Sequence, residues 1–232
     1  MDPQQSLVLC VGYDALRGGD GFESSTAATA RRDALANSSV GVFVGVEPSG
    51  LSGADQATVF SASGGALSVT SGRLSYSLGL VGPCYSIDTA CASALAALHA
   101  CVLALRIGDE CDDGLAVGTK VLSEAANVAT STAGMTSARG RCHTFDLRAD
   151  GYCRGEGCGA FLVRASSRGE AAVLGSAVQQ DGPSASLTAP NGSSQRRLIE
   201  AVRIDATAAA AGVPSLEAVS YTHLTLPTSG VV

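Results

Sequence analysis

Short apolar runs alternate along this chain with longer periodic stretches. Runs of about four to eight apolar or β-branched residues, bounded by glycine, proline or polar residues, predict strands. Such runs occur at Val40–Val46, Tyr85–Asp88, Gly114–Thr119, Ala160–Arg164 and Ala171–Val178. Helices are predicted at Ser6–Leu16, at Ala66–Leu80, from Thr89 or Ala90 to Ile107, and at Asn191–Gly212, with a loose polar stretch at Asp20–Ser39. Strands that alternate with helices indicate an α/β protein with a mostly buried sheet.

The helix that follows Asp88 differs from the others because it is apolar on every face. Its apolar positions are Ala90, Ala92, Ala94, Leu95, Ala96, Ala97, Leu98, Val102, Leu103 and Leu105. A helix of this kind is expected at the centre of a domain rather than on its surface. Gly108 stands where a glycine would end it.

The composition narrows the class of protein. Of the 232 residues, 28 are glycine and 38 alanine, 46% are hydrophobic, 16% are charged, and none is tryptophan. The chain is too apolar to be disordered, and its glycines lack the strict repeat of collagen. The net charge of −6, without any basic stripe, argues against a nucleic-acid partner.

The sequence shows neither a membrane span nor a secretory signal. The longest apolar run, Ala90–Leu105, contains Ser93 and His99 and falls short of the roughly 20 residues that cross a bilayer. No basic segment precedes an apolar stretch at the amino terminus. A cytoplasmic protein is therefore expected, with an organelle lumen as the alternative.

Eight cysteines raise the question of disulfides or metal. They are Cys10, Cys84, Cys91, Cys101, Cys111, Cys142, Cys153 and Cys158, and none forms a C-x-x-C pair. The spacing around Cys142 matches no common zinc pattern, although the adjacent His143 leaves a zinc site formally open. We expect small buried thiols in a reducing compartment and no bound metal.

Cys91 is the candidate nucleophile. It lies at the junction between the predicted strand Tyr85–Asp88 and the apolar helix. A thiol in the first helical turn faces unpaired backbone N–H groups and the positive end of the helix dipole, which favour the thiolate. The same N–H groups suit the oxyanion that forms on an attacked carbonyl. The alternative is an inert buried cysteine.

Several motifs, in order, resemble the β-ketoacyl synthases, especially the ketosynthase domains of type I modular polyketide synthases. The string around Cys91, GPCYSIDTACASAL from Gly82 to Leu95, resembles the nucleophile motif of that family. Further matching blocks are GVFVG at 41–45, SGRLSYSLGL at 71–80, GRCHTFD at 140–146, ADGY at 149–152, RGEGCGA at 154–160, QDG at 180–182 and LTAPNG at 187–192.

The resemblance implies a thiolase-like fold with αβαβα layers, built from two similar halves and forming a homodimer when complete. The family's opening strand is not found before about Ser6, so we expect an incomplete domain truncated at both ends. Residues 6–168 would be most of the N-terminal half, with the nucleophile, and 169–220 the start of the C-terminal half. Residues 221–232 are expected to be a non-native tail.

The resemblance also implies a reaction, the decarboxylative Claisen condensation that elongates polyketide and fatty acid chains. An acyl chain would pass from the phosphopantetheine of an acyl carrier protein to Cys91. A malonyl-type extender on the carrier would then lose CO2, and its carbanion would attack the thioester. No bound cofactor is implied.

The family's two catalytic histidines, in E-A-H-G-T-G-T and G-H blocks, are not found in the chain. His223 comes too early for the first block, His99 is expected to be a core or interface residue, and His143 lies in a loop. The chain is therefore expected to be incompetent for condensation. The alternatives are a non-catalytic partner of a complete ketosynthase and a thiolase-like acyltransferase.

Other polar groups are assigned structural roles. Asp88, Asp146, Asp150 and Glu156 are expected to serve in turns and caps. The glycine-rich Gly155–Gly159 segment precedes a strand rather than a helix, so no nucleotide site is predicted.

Overall fold

The computed structural model describes residues 1–18, 25–51, 59–106, 110–165, 169–186 and 189–205. The chain divides into two compact units, one formed by residues 1–123 with 155–168 and the other by 124–154 with 169–232. Three predictions lie outside the described residues: the stop at Gly108, the helix beyond residue 205, and the tail with His223.

The first unit is built on a four-stranded mixed sheet. Its strands are β1 (Val40–Gly45), β2 (Cys84–Ile87), β3 (Asp113–Lys120) and β4 (Gly157–Arg164), in the order β2-β1-β3-β4. β1 is parallel to both β2 and β3, and β4 is antiparallel to β3. Val44 lies opposite Ser86 on one side and Val117 on the other, so β1 is central and all six of its residues are buried.

Helices cover both faces of this sheet. The unit contains α1 (Pro3–Leu16), α2 (Ser25–Leu35), α3 (Ser61–Gly64), α4 (Leu67–Leu78), a 3₁₀ turn (Ala90–Ala92) and α5 (Ser93–Arg106). Alternation along β1 sends Val42 and Val44 into a core with Val8 of α1 and Leu74 of α4. Phe43, between the two valines, packs with Ala97, Cys101 and Ala104 of α5 on the other face. Three layers result, helix, sheet and helix.

The second unit contains α6 (Glu124–Thr132) and α7 (Gly192–Asp205). A parallel bridge between Thr136 and Tyr152 brings two loop segments together. The side chain of Asn191 accepts hydrogen bonds from the backbone N–H groups of Ser193 (3.1 Å) and Ser194 (3.3 Å). Asn191 is thus the N-cap of α7, a position at which asparagine is among the preferred residues.

Most of the predicted elements are present. The observed bounds lie within four residues of the predicted ones for β1, β2, β3 and β4 and for α1, α4 and α5. α7 begins one residue after its predicted start, Asn191, and its predicted end lies outside the described residues. α4 ends at Leu78 and is followed by Gly79, whose φ of 70° is the left-handed conformation that glycine adopts without strain.

The structure departs from the predicted elements in four places. The stretch expected to be loose contains α2, and α6 was not expected. Ala171–Val178 is not a strand: Val173, Leu174 and Val178 are 44–60% exposed. The apolar helix is not enclosed on every side, because one face of α5 packs on the sheet while Leu95 is 72% exposed.

Among the described residues, no helix has both the length and the apolar character needed to span a membrane.

Candidate active site

Cys91 lies in the tight connection between β2 and α5. The 3₁₀ turn that carries it follows Thr89, and Ala90 has a φ of 52°. A non-glycine residue pays about 1–2 kcal/mol for this left-handed conformation. The side chain of Asp88 accepts a hydrogen bond from the N–H of Ala90 at 3.0 Å and so supports the turn. Asp88 therefore has the structural role in a turn that the sequence predicts. Cys91 itself is exposed at the surface of the first unit.

Ser93 closes the turn from its far side. Its hydroxyl accepts a hydrogen bond from the N–H of Thr89 (2.8 Å) and donates one to the carbonyl of Ala90 (2.7 Å). The Ser93 side chain is buried, whereas Thr89 and Ala90 are exposed, so the two bonds are partly buried. One hydroxyl, two residues after Cys91, therefore fixes the two residues before it, a role of Ser93 that the sequence pattern does not indicate.

Glycines in the sheet let the start of α5 approach closely. A Cβ atom at Gly45 would lie 2.4 Å from the backbone carbonyl of Ser93, and one at Gly118 would lie 2.7 Å from the Cβ of Ala94. These separations are too short for real side chains, so glycine is required at both positions. The result is that Cys91 is held beside the carboxyl ends of β1 and β3.

A cavity of about 390 Å³ opens at this place. It lies at the carboxyl ends of parallel strands, which is where open α/β sheets bind their ligands. The residues that line it are Gly45, Val46, Glu47, Ala90, Cys91, Ser93, Ala94, Gly118, Thr119, Lys120, Gly157, Gly159 and Phe161. Six of these thirteen residues are glycine or alanine, so part of the wall is backbone.

One ion pair lies in this wall. Lys120 Nζ is 2.5 Å from Glu47 Oε1, and both side chains are partly exposed. Gln4, which is 2% exposed, fixes the chain on both sides of the pair. Its amide donates to the carbonyl of Glu47 (2.9 Å) and accepts from the N–H of Val121 (2.9 Å). None of these three residues was a candidate from the sequence, because the contacts join segments more than 40 residues apart.

The remaining polar candidates have structural partners, and none of them is among the residues that line the cavity. Asp146 binds Arg148 through both of its carboxylate oxygens, and these hydrogen bonds hold the pKa of Asp146 well below its usual range. Asp150 accepts from the hydroxyl of Ser137 at 2.6 Å, and Glu156 from the N–H of Leu122 at 3.1 Å. In the described part of the chain no histidine lines the cavity.

The cysteines divide into buried and exposed groups. Cys101 and Cys111 are buried together against the sheet, and burial raises the pKa of Cys101 to about 12. Burial also raises the pKa of Cys111 and of Cys158. Cys10, Cys84, Cys91, Cys142 and Cys153 are exposed, so the expectation that most of the thiols are buried is wrong. Within the described ranges, no cluster of three or more ligand-type side chains is placed to hold a metal ion.

Comparison with known proteins gives consistent matches. The family described as beta-ketoacyl synthase, N-terminal domain, matches residues 1–169. The phenolphthiocerol synthesis polyketide synthase type I Pks15/1 of Mycobacterium marinum is 39% identical over 228 residues, covering 94% of this chain and 10% of the relative. The pikromycin polyketide synthase component PikAII of Streptomyces venezuelae is 40% identical over 231 residues, covering 94% of this chain and 6% of the relative.

The solved structures are similar in fold as well as in sequence. The ketosynthase from module 6 of the bacillaene synthase of Bacillus subtilis 168 superposes with a TM-score of 0.74 at 29% identity. The match covers 89% of this chain and 35% of the ketosynthase chain. The chain thus spans about a third of that solved structure and a tenth or less of these two curated relatives.

These matches confirm the thiolase-like α/β fold that the motifs predict, with the three described layers as part of it. The resemblance read from the residues around Cys91 and the later glycine-rich blocks is confirmed with it. This chain belongs to the β-ketoacyl synthase family, among the ketosynthases of modular polyketide synthases.

Proposed function

We propose that this chain supplies the acyl-accepting part of a ketosynthase, with Cys91 as the residue that holds the acyl group. The observation that carries the proposal is the position of Cys91, exposed in the wall of the 390 Å³ cavity at the carboxyl ends of β1 and β3. The names of the relatives, which are polyketide synthases, support the same activity. The substrate is an acyl thioester on the phosphopantetheine of an acyl carrier protein.

The acyl transfer is a thioester exchange. The sulfur of Cys91 attacks the carbonyl carbon of the carrier thioester and forms a tetrahedral oxyanion. The oxyanion collapses, the C–S bond to the phosphopantetheine breaks, and the leaving sulfur takes up a proton in place of the one that the Cys91 thiol lost on forming its thiolate. The turn that carries Cys91 is fixed by Asp88 and Ser93, so the nucleophile needs little reorganisation before attack.

The cavity wall favours an uncharged acyl chain. Glycine and alanine leave room for methylene groups beside Cys91, and Phe161 adds an apolar side. Lys120 and Glu47 neutralise each other, so the wall presents no net charge from this pair. A chain bearing a carboxylate would lose hydration there without gaining a free cation.

Chain elongation is the reaction proposed for the complete domain. A malonyl-type extender would lose CO2, and its carbanion would attack the Cys91 thioester. This step needs groups that stabilise the enolate oxyanion. Since no histidine lines the cavity in the described residues, we propose that this chain by itself accepts an acyl group and does not condense it.

Two further parts of the proposal concern the assembly. Residues 6–168 form the N-terminal half and 169–220 begin the C-terminal half; the family match, which ends at residue 169, supports the first boundary. The complete domain acts as a homodimer that receives its substrates from the carrier protein.

Intact-mass spectrometry tests the acyl transfer. The chain is incubated with an acyl thioester of a short phosphopantetheine mimic, and the mass increases by one acyl group. Cys91→Ala should abolish the adduct. Cys84→Ala is the matched control, since Cys84 is also exposed but does not line the cavity, and it should leave the adduct unchanged.

Two results would contradict the proposal. An adduct that persists in Cys91→Ala would show that another nucleophile accepts the acyl group. A β-ketoacyl product formed by this chain with a malonyl thioester would show that condensation does not need the missing groups.

A further inference from the structure

Two exposed cysteines in the second unit lie in direct contact. The backbone N–H of Cys153 donates to Sγ of Cys142 at 3.1 Å, and that Sγ lies 3.9 Å from the carbonyl oxygen of Cys153. Neither thiol lines the Cys91 cavity, and neither has a role in the acyl transfer proposed above.

The contact brings one sulfur within bonding reach of the other residue. With an N–Cα bond of about 1.46 Å, a sulfur 3.1 Å from the nitrogen of Cys153 lies at most about 4.6 Å from its Cα. The Sγ of Cys153 now points to the carbonyl of Arg154 at 3.7 Å. Closing a disulfide therefore requires the sulfur of Cys153 to rotate about χ1 from this carbonyl towards Cys142, a change between ordinary staggered rotamers.

The backbone on both sides of the pair is held in place. The N–H of Ser137 donates to the carbonyl of Tyr152 (3.0 Å), directly before Cys153. The N–H of Gly140, two residues before Cys142, donates to the carbonyl of Ser137 (3.1 Å). The segments that carry Cys142 and Cys153 are thus both hydrogen-bonded to the backbone of Ser137. Arg154 adds a hydrogen bond to Asn127 Oδ1 of α6 at 2.8 Å.

Other cysteines are less suited to oxidation as a pair. Cys101 and Cys111 also lie in one cluster, but they are buried among apolar residues. Burial raises the pKa of Cys101 to about 12, which keeps it a protonated and unreactive thiol. The pair of Cys142 and Cys153 differs because both thiols are exposed and in contact.

We propose that Cys142 and Cys153 form an oxidation site that closes to a disulfide with a two-electron oxidant such as a peroxide. One thiolate attacks the peroxide oxygen, the O–O bond breaks, and a sulfenic acid and one water form. The second thiol attacks the sulfenic sulfur, the S–O bond breaks, and a second water leaves. Overall, two thiols and one H2O2 give one disulfide and two waters.

Peptide mapping of the whole chain tests this site. The folded protein is treated with one equivalent of hydrogen peroxide, its remaining thiols are alkylated, and it is digested without reduction. The expected product is a cross-linked peptide that contains Cys142 and Cys153, lighter by two hydrogen atoms than its two thiol peptides and separated by a reductant. Cys142→Ser and Cys153→Ser should each abolish it, and Cys10→Ser, which removes an exposed thiol of the first unit, should not.

A second probe does not depend on an oxidant. Phenylarsine oxide binds two neighbouring thiols at once, so the chain should take up one arsenical that Cys142→Ser prevents. The proposal is overturned if Cys142 and Cys153 both remain alkylatable after peroxide while other exposed cysteines are oxidised. It is also overturned if Cys142 pairs with a cysteine other than Cys153. Acylation of Cys91 is measured separately, so either proposal can fail alone.

Discussion

At the scale of single residues, Lys120 and Glu47 carry opposite charges in the cavity wall, and either charge can be removed by one substitution. Glu47→Gln leaves the ammonium of Lys120 without its partner. We compare an acyl group that ends in a carboxylate, glutaryl, with a neutral one, butyryl. The ratio of glutaryl to butyryl adduct should be about two- to fivefold higher in the variant than in the unchanged chain, which is the range that a partly exposed ion pair supports. The measurement is the ratio of the two adducts on Cys91 by intact mass.

The opposite variant provides the control. Lys120→Met leaves the carboxylate of Glu47, so the ratio should shift away from the glutaryl group. The double variant, which removes both charges, should return the ratio close to that of the unchanged chain. Equal ratios in all four proteins would mean that the acyl chain does not occupy this part of the cavity.

The burial of Cys101 should make the stability of the protein depend on pH. Its side chain is fully buried, and burial raises its pKa from 9.0 to about 12. The thiol therefore ionises more readily in the unfolded chain, and its contribution to stability is full below about pH 9 and is lost as the pH rises towards about 12. Between about pH 8 and pH 10.5 this group alone should remove about 1–2 kcal/mol from the free energy of unfolding.

Urea denaturation at the two pH values measures this loss. Cys101→Ala should be less stable at both, because it leaves a small cavity, but its stability should fall less with pH. The same fall in both proteins would show that Cys101 does not carry the dependence.

At the scale of elements, the packing of α5 on the sheet depends on glycine. Gly45→Ala would place a methyl group 2.4 Å from the backbone of Ser93, so the start of α5 must move. We expect a loss of about 1–3 kcal/mol in the free energy of unfolding, as for other overpacked cores, and slower acylation of Cys91. Denaturation and intact mass measure the two effects.

Gly159→Ala is the matched control for Gly45→Ala. A Cβ at Gly159 meets no atom within 4 Å, although this residue also lies in a strand and lines the same cavity. Its stability should stay within about 0.5 kcal/mol of the unchanged chain. If Gly45→Ala and Gly159→Ala lower the free energy of unfolding equally, the close approach of β1 and α5 is not the reason why glycine is needed at position 45.

The elements that the sequence predicts correctly are those whose burial shows in their own residues. β1 is apolar throughout and is buried throughout. α2 was missed because its sequence, STAATARRDAL, has no apolar stripe; its alanines and arginines favour a helix only through propensity. Ala171–Val178 has the composition of a strand, yet the structure gives it no ladder partner among the described strands. A strand needs a neighbour, which a single segment does not reveal.

The site divides in the same way. The role that we propose for Cys91 was predictable, because it depends on a single junction of strand and helix and the family motif surrounds Cys91. The partnership of Glu47 and Lys120 was not, because it arises from two parallel strands ending side by side. Nothing in the sequence indicates that Gln4 is buried and bonded beside this pair, since a glutamine near the amino terminus is ordinarily a surface residue.

At the scale of the whole molecule, burial is concentrated in the middle of the first unit. β1 is buried at every residue, and β3 is buried at most of its central ones. α7, in the second unit, buries Ser194 alone among its described residues. Local opening is cheap where little apolar surface is buried.

Hydrogen exchange should therefore differ strongly between the two units. Amides of β1 and β3 should exchange at least about tenfold more slowly than those of α7, because they open only when the sheet itself opens. Mass spectrometry of peptic peptides measures this difference. Equal protection of β1 and α7 would show that the chain opens as one cooperative unit.

Lys120 is the single lysine of the chain, and it lies in the cavity wall. The α-amino group of the first residue is the other primary amine for a dye that reacts with amines. A fluorophore placed on Lys120 would report directly on the filling of the space beside Cys91, without an introduced label site. A lysine-specific protease would cut the chain once, directly after β3, so the loss of this cut on acylation would provide a gel-based readout of occupancy.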